Sequence, residues 1–153
     1  MSNRFGFDRI IKNFEQVKTT LPQVLANDTK NFFLRENFDK QQFNGVAWAD
    51  VKRHGKKGGS QRNQSASLVQ SGKLRRAVAN SLLIANWNEI VFSVRDSTAK
   101  DGFNYGGIHN YGGHAGRGAG FEMPKRQFIG DSAALREKQL ASIKRTVDKI
   151  WRK

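Results

Sequence analysis

A chain of 153 residues with 37% apolar content, 11 Phe and 3 Trp has the size of one domain and enough apolar material for one modest core. It contains no Cys, which excludes disulfides, thiolate metal sites and cysteine nucleophiles. Neither an N-terminal apolar run of roughly 7–15 residues nor one of about 18 is present, so no leader and no membrane span are expected.

The 27 Lys and Arg against 13 Asp and Glu leave a formal charge of +14, which attracts polyanions over a Debye length of roughly 8–10 Å. The excess is concentrated. Residues 1–40 carry seven basic and five acidic groups, residues 52–76 eight basic and no acidic ones, and residues 125–153 nine basic and three acidic.

From Phe7 to Leu25 the residues Phe7, Ile10, Ile11, Phe14, Val17, Leu21 and Leu25 recur every three or four positions, which predicts a helix with one buried stripe. Pro22 is expected to bend or end it, because proline has no N–H for the preceding turn. Asn27, Asp28 and Thr29 are good N-cap types, and Phe32, Phe33, Phe38 and Phe43 continue on a second helical segment up to Gly45. Lys52 to Ser67 has one apolar residue and three Gly. That is too little apolar surface to offset the entropy of ordering, and 52–67 reads as a basic flexible loop.

Leu68 to Ala79 opens with a short helix or turn, after which Ser81–Ala85 and Ile90–Val94 face each other across Asn86-Trp87-Asn88-Glu89 in a hairpin pattern. Seven Gly stand between Gly106 and Gly120, so 106–120 reads as a Gly-rich loop without regular structure. From Asp131 or Ser132 onward, Leu135, Leu140, Ile143, Val147, Ile150 and Trp151 outline a C-terminal helix over 131–153, whose cationic end suits a helix C-terminus. This order gives an α+β class: a small antiparallel sheet of three or four strands packed with two N-terminal helices and one C-terminal helix. The chain is read as a single domain, 1–153.

Catalytic constellations are missing. His54, His109 and His114 have no carboxylate or third imidazole at ligand spacing, so no metal is expected. His109-Asn110 lacks the further motif elements and the ββα frame of a His-Asn-His nuclease, and reads as a strand end before a loop. The glycine cluster contains no GxxxxGK[ST] and is not set between a strand and a helix, which excludes a phosphate cradle of that kind. The acidic residues are scattered among Lys and Arg rather than paired, so neither catalytic residues nor a cofactor is expected. Lys52, Arg53, Lys56, Lys57 and Arg62 can displace counterions from phosphates without reading bases. No aromatics alternate with them, which argues against a single-strand stacking platform.

Four short blocks, in order, resemble the phage virion morphogenesis family, also called the tail completion family, which is related in fold to head-tail connector and neck proteins. The first runs from Phe38 through Gly45 to Trp48: an aromatic, then a Gly, then a Trp before a polar loop. The second is Leu68-Val69-Gln70-Ser71-Gly72-Lys73-Leu74-Arg75. The third is Tyr105-Gly106-Gly107-Ile108-His109-Asn110-Tyr111-Gly112, with Gly106 where the family has Ala. The fourth is Met123-Pro124-Lys125-Arg126-Gln127-Phe128-Ile129-Gly130, with Gln127 where Pro is common.

The residues also make local sense: Gly72 permits a left-handed turn feeding a strand, Tyr105 and Tyr111 flank a strand, and Pro124 sets an extended entry.

The resemblance implies a structural virion protein of a tailed phage or prophage, assembled in the host cytoplasm and located at the neck or head-proximal tail end. It would form a homo-oligomeric ring, a hexamer or dodecamer, around the DNA channel. Neighbouring neck, tail-tube or portal-proximal proteins would be its partners, with non-specific DNA contact in the lumen and no membrane. Candidate ring-interface or DNA-facing residues are Lys52, Arg53, Lys56, Lys57, Arg62, Arg117, Lys125 and Arg126. Gly45, Trp48, Leu68, Gly72, Leu74, Tyr105, His109, Gly112, Pro124, Arg126 and Phe128 are expected to hold the family fold. The alternative is a non-specific nucleic-acid-binding protein acting through the basic loop.

Overall fold

The computed structural model of the chain describes residues 6–50, 68, 72–94, 104–116 and 118–151. In chain order their elements are α1 (Phe7–Phe32), a π-helical turn (Phe33–Phe38), β1 (Gln42–Phe43), β2 (Val46–Ala47), α2 (Lys73–Ala79), β3 (Leu82–Ala85), β4 (Ile90–Ser93), α3 (Tyr105–Tyr111), β5 (Gly113–Ala115), β6 (Phe121–Met123) and α4 (Ala133–Trp151). The chain is therefore mixed α+β, and among the described residues no helix is long and apolar enough to cross a membrane. Two compact units result: one from residues up to Thr29, Leu82–Ser93 and the segment from Ser132, the other from Lys30–Ser81 and Val94–Asp131.

The first unit is built on α1 and α4. A single helix replaces the two expected at the N-terminus: α1 runs through Pro22, which is buried between buried Leu21 and Ala26. An interior proline costs roughly 3 kcal/mol, and apolar burial on both sides of it outweighs that. Asp28 and Thr29 do not cap a second helix. Thr29 Oγ1 donates to the Leu25 carbonyl at 2.8 Å, and Asp28 accepts from Ser142 Oγ of α4 at 2.6 Å. With Asn13 Nδ2 donating to the Ile150 carbonyl at 3.2 Å, these contacts set α4 antiparallel to α1. The helix α4 begins as expected, Ser132 Oγ accepting from the Leu135 N–H at 3.3 Å.

Val17, Leu21 and Ile150 form the core of this unit, with Ile10, Leu25, Ile143 and Val147 packed against it. The ends of the predicted stripes stay uncovered: Phe7, Ile11, Phe14, Leu140 and Trp151 are all exposed. Two helices meeting along one seam bury a narrower strip than the apolar pattern offers. The β3–β4 hairpin has the predicted pairing, from Leu82↔Ser93 to Ala85↔Ile90. Asn86 Oδ1 closes its loop by accepting from the N–H groups of Asn88 and Glu89, each at 2.9 Å.

In the second unit two short hairpins surround the π-helical turn and two short helices. Asn44 and Gly45, both at positive φ (51° and 80°), join β1 to β2 in a two-residue turn. Gly72 takes the expected left-handed conformation, φ 66°, but leads into α2 rather than a strand.

The Gly-rich stretch is not a loop: it forms α3 and, further on, the β5–β6 hairpin. Tyr105 and Tyr111 thus begin and end a helix instead of flanking a strand. Asn104 Oδ1 caps that helix by accepting from the Gly107 N–H at 2.8 Å. With α3 in place of a strand, the expected three- or four-stranded sheet gives way, among the described residues, to three separate two-stranded hairpins.

Candidate functional site

Among the described residues, several of those singled out from the sequence meet in the second unit, on the extended segment Pro124–Phe128. Phe128, 1% exposed, packs on Phe38 (ring centroids 5.3 Å apart), and Phe38 meets Trp48 edge-on at 5.6 Å. Two buried asparagines hold the backbone there. Asn110 Oδ1 accepts from the N–H groups of Phe128 and Ile129 at 3.0 and 3.1 Å, and Asn37 Nδ2 donates to the Phe128 carbonyl at 2.9 Å. An extended segment paired with no strand among the described residues needs such partners, since buried backbone groups left unpaired cost about 1–3 kcal/mol each.

Arg126 and Trp48 tie the same segment to the chain that follows β2. The guanidinium of Arg126 donates through Nε to the Ala49 carbonyl at 2.7 Å and through a terminal nitrogen to the Asp50 carbonyl at 2.8 Å. Trp48 Nε1 donates to the Gln127 carbonyl at 2.7 Å, and the Arg126 N–H to the His109 carbonyl at 2.7 Å. Gly112 must be glycine twice over. Its φ is 78°, and a Cβ there would stand 3.1 Å from the Lys125 nitrogen and 3.2 Å from the Met123 carbonyl. Leu74, with Ala77 and Val78, buries the face of α2 that lies against the π-helical turn.

Arg126 requires a correction. It is 3% exposed and spends its guanidinium on backbone carbonyls, so it holds the fold and does not face a neighbouring subunit or DNA. Lys125 is exposed, and with Phe43, Val46, Trp48 and Gln127 it borders an open groove of about 390 Å³. Lys52, Arg53, Lys56, Lys57, Arg62 and Arg117 lie outside the described residues. Leu68 has φ 61°, Gly45 sits in the β1–β2 turn, Tyr105 is half-buried at the start of α3, and Pro124 is exposed at the head of the extended segment.

His109 belongs to this cluster. Its Nδ1 has no hydrogen-bond partner among the described residues, and its pKa is lowered from the usual 6.5 by burial first and by the Arg126 charge second. A depressed histidine pKa means that below 6.5 the unfolded chain takes up a proton that the folded chain refuses. Stability is full above that pH and falls as the pH drops towards the folded pKa. Urea midpoints measured from pH 8 to pH 5 should decline in the acid half of the range, and His109→Gln should flatten the decline. An equal decline in the variant would locate the titration elsewhere.

Sequence reasoning missed Asn37 and the turn at Asn44-Gly45. Asn-Gly is the strongest two-residue hairpin signal, but the spacing of the surrounding Phe residues assigns the segment to a helix. Asn37 leaves no local mark, because its partner carbonyl is 91 positions away. Set against family models, curated proteins and solved structures, the chain matches none.

Proposed function

We propose that the chain is a non-enzymatic structural subunit of a tailed phage or prophage, a tail completion or neck protein that assembles as a ring around the DNA channel. The observation that carries this reading is the meeting of the four ordered blocks in one unit. The aromatic and Trp of the first, Leu74 of the second, His109 and Gly112 of the third, and Arg126 and Phe128 of the fourth all lie in the second unit, most of them joined by the bonds and ring contacts above. Residues scattered over some ninety positions and resembling one family's pattern thereby have a common physical role, which supports the reading.

In this reading the neighbours are neck, tail-tube or portal-proximal proteins, and the cationic chain tolerates DNA passing through without reading it. Light scattering on the purified protein, with negative-stain microscopy of the same fractions, tests the proposal. Closed rings of hexameric or dodecameric mass are expected. A chain that stays monomeric at all accessible concentrations, and whose deletion from a phage leaves head-to-tail joining intact, is incompatible with it.

A further inference from the structure

The charge of the first unit is distributed unevenly around the α1–α4 pair. At about 100° per residue, Lys138, Arg145 and Lys149 fall within roughly 40° of one another on α4, along the edge where it meets α1. All three are exposed, and none forms an ion pair with another described residue. The acidic residues of the helix, Glu137 and Asp148, lie about 80–100° round from Lys138, beside Lys144. Asp28, the acid of α1 that packs on α4, is engaged by Ser142.

Between the helices on this side is a slot of about 170 Å³ bordered by Lys149, by polar side chains and by the apolar Val17 and Val24; Asn13 and Thr20 in it already donate to the Ile150 and Gln16 carbonyls. The opposite flank carries Phe7, Ile11 and Phe14 on α1 and Leu140 and Trp151 on α4, all exposed and apolar. Complementing the helix dipole accounts for Lys149 in the last turn, but not for Lys138, in the N-terminal third, where a cation gains nothing from it.

We infer that this cationic side of the α1–α4 pair is a binding face for a phosphodiester backbone. Along the helix axis the three cations are spaced by roughly 10 and 6 Å at 1.5 Å per residue. Duplex DNA presents a phosphate about every 3.4 Å of axis on each strand, so cations this close together can each come within reach of a phosphate. Contacts of this kind from cations to phosphates position a protein on the duplex without sequence information. The inference goes beyond the ring reading, which puts DNA in a channel without naming the surface that meets it.

The test uses the full chain and a mixed-sequence 25-base-pair duplex, with affinity measured by fluorescence anisotropy over a salt series. Lys138→Glu/Arg145→Glu/Lys149→Glu should weaken binding at least tenfold near 0.1 M salt and reduce the log–log salt slope by about two to three, roughly 0.9 for every phosphate that is no longer neutralised. Lys144→Glu, on the acidic side of the helix, should change it less than threefold. All four positions are exposed, and circular dichroism checks the fold. If the charge reversals unfold the chain, the triple Gln variant takes their place with the same expected loss of slope. The inference fails if the wild-type chain does not bind the duplex, if the triple variant binds with unchanged slope, or if Lys144→Glu weakens binding as much. Native mass spectrometry of the same samples judges ring formation separately, so DNA binding by a monomer would retain this face while removing the ring.

Discussion

Replacing Phe128 by alanine is expected to lower the unfolding free energy by about 3–5 kcal/mol, the usual cost of emptying a fully buried aromatic site. Phe128 is 1% exposed and packs on Phe38, itself 1% exposed. Its own backbone N–H and carbonyl are held by Asn110 and Asn37, so the segment cannot shift to fill the void without giving up those bonds. Urea unfolding followed by circular dichroism measures the loss. Hydrogen exchange should show the Phe128 and Ile129 amides losing protection before the helix α4 does, because α4 packs in the other unit. A variant within about 0.5 kcal/mol of wild type would mean that the cluster is not the core of its unit.

Arg126→Ala should cost about 3 kcal/mol, since a buried guanidinium donates to two carbonyls and hydrogen bonds from charged groups contribute roughly 1.5–3 kcal/mol each. At this chain length that is a fall of about 6–12 °C in Tm. Arg126→Lys should recover little of it. An ammonium cannot span the Ala49 and Asp50 carbonyls that Nε and the terminal nitrogen reach together. Thermal melts of the two variants decide the matter: recovery to near wild type in the lysine variant would show that the charge matters and the fork does not.

Much of the first unit is legible from residues 7–25 and 131–153, because helical periodicity is a local property. The same holds for the β3–β4 hairpin, whose two apolar runs and Asn-rich loop are contiguous. The second unit is less legible. Seven glycines between positions 106 and 120 suggest a loop, yet Asn104 as N-cap and Gly112 as the stop bracket a helix of seven residues. Caps outweigh composition once Asn110 gains two backbone partners on the other side of the cluster.

Arg126 shows the other limit. One charged residue among nine basic groups in its segment reads as surface, and only the carbonyls of Ala49 and Asp50, 77 and 76 positions away, make it an interior residue.

By itself the sequence determined the α+β class, the amphipathic α1 and α4, the hairpin at 82–93, the absence of cysteine chemistry and the concentration of positive charge. Each of these depends on residue type or on spacing within a few turns. Tertiary structure alone decided that α1 passes through Pro22, that three hairpins stand where one sheet was expected, and that Arg126 is buried. It also decided that Lys149, at the end of the row it forms with Lys138 and Arg145, borders the slot between α1 and α4. All of these depend on which distant backbone groups and side chains come within a few ångströms, and hydrogen-bond and packing energies fall away over that same distance.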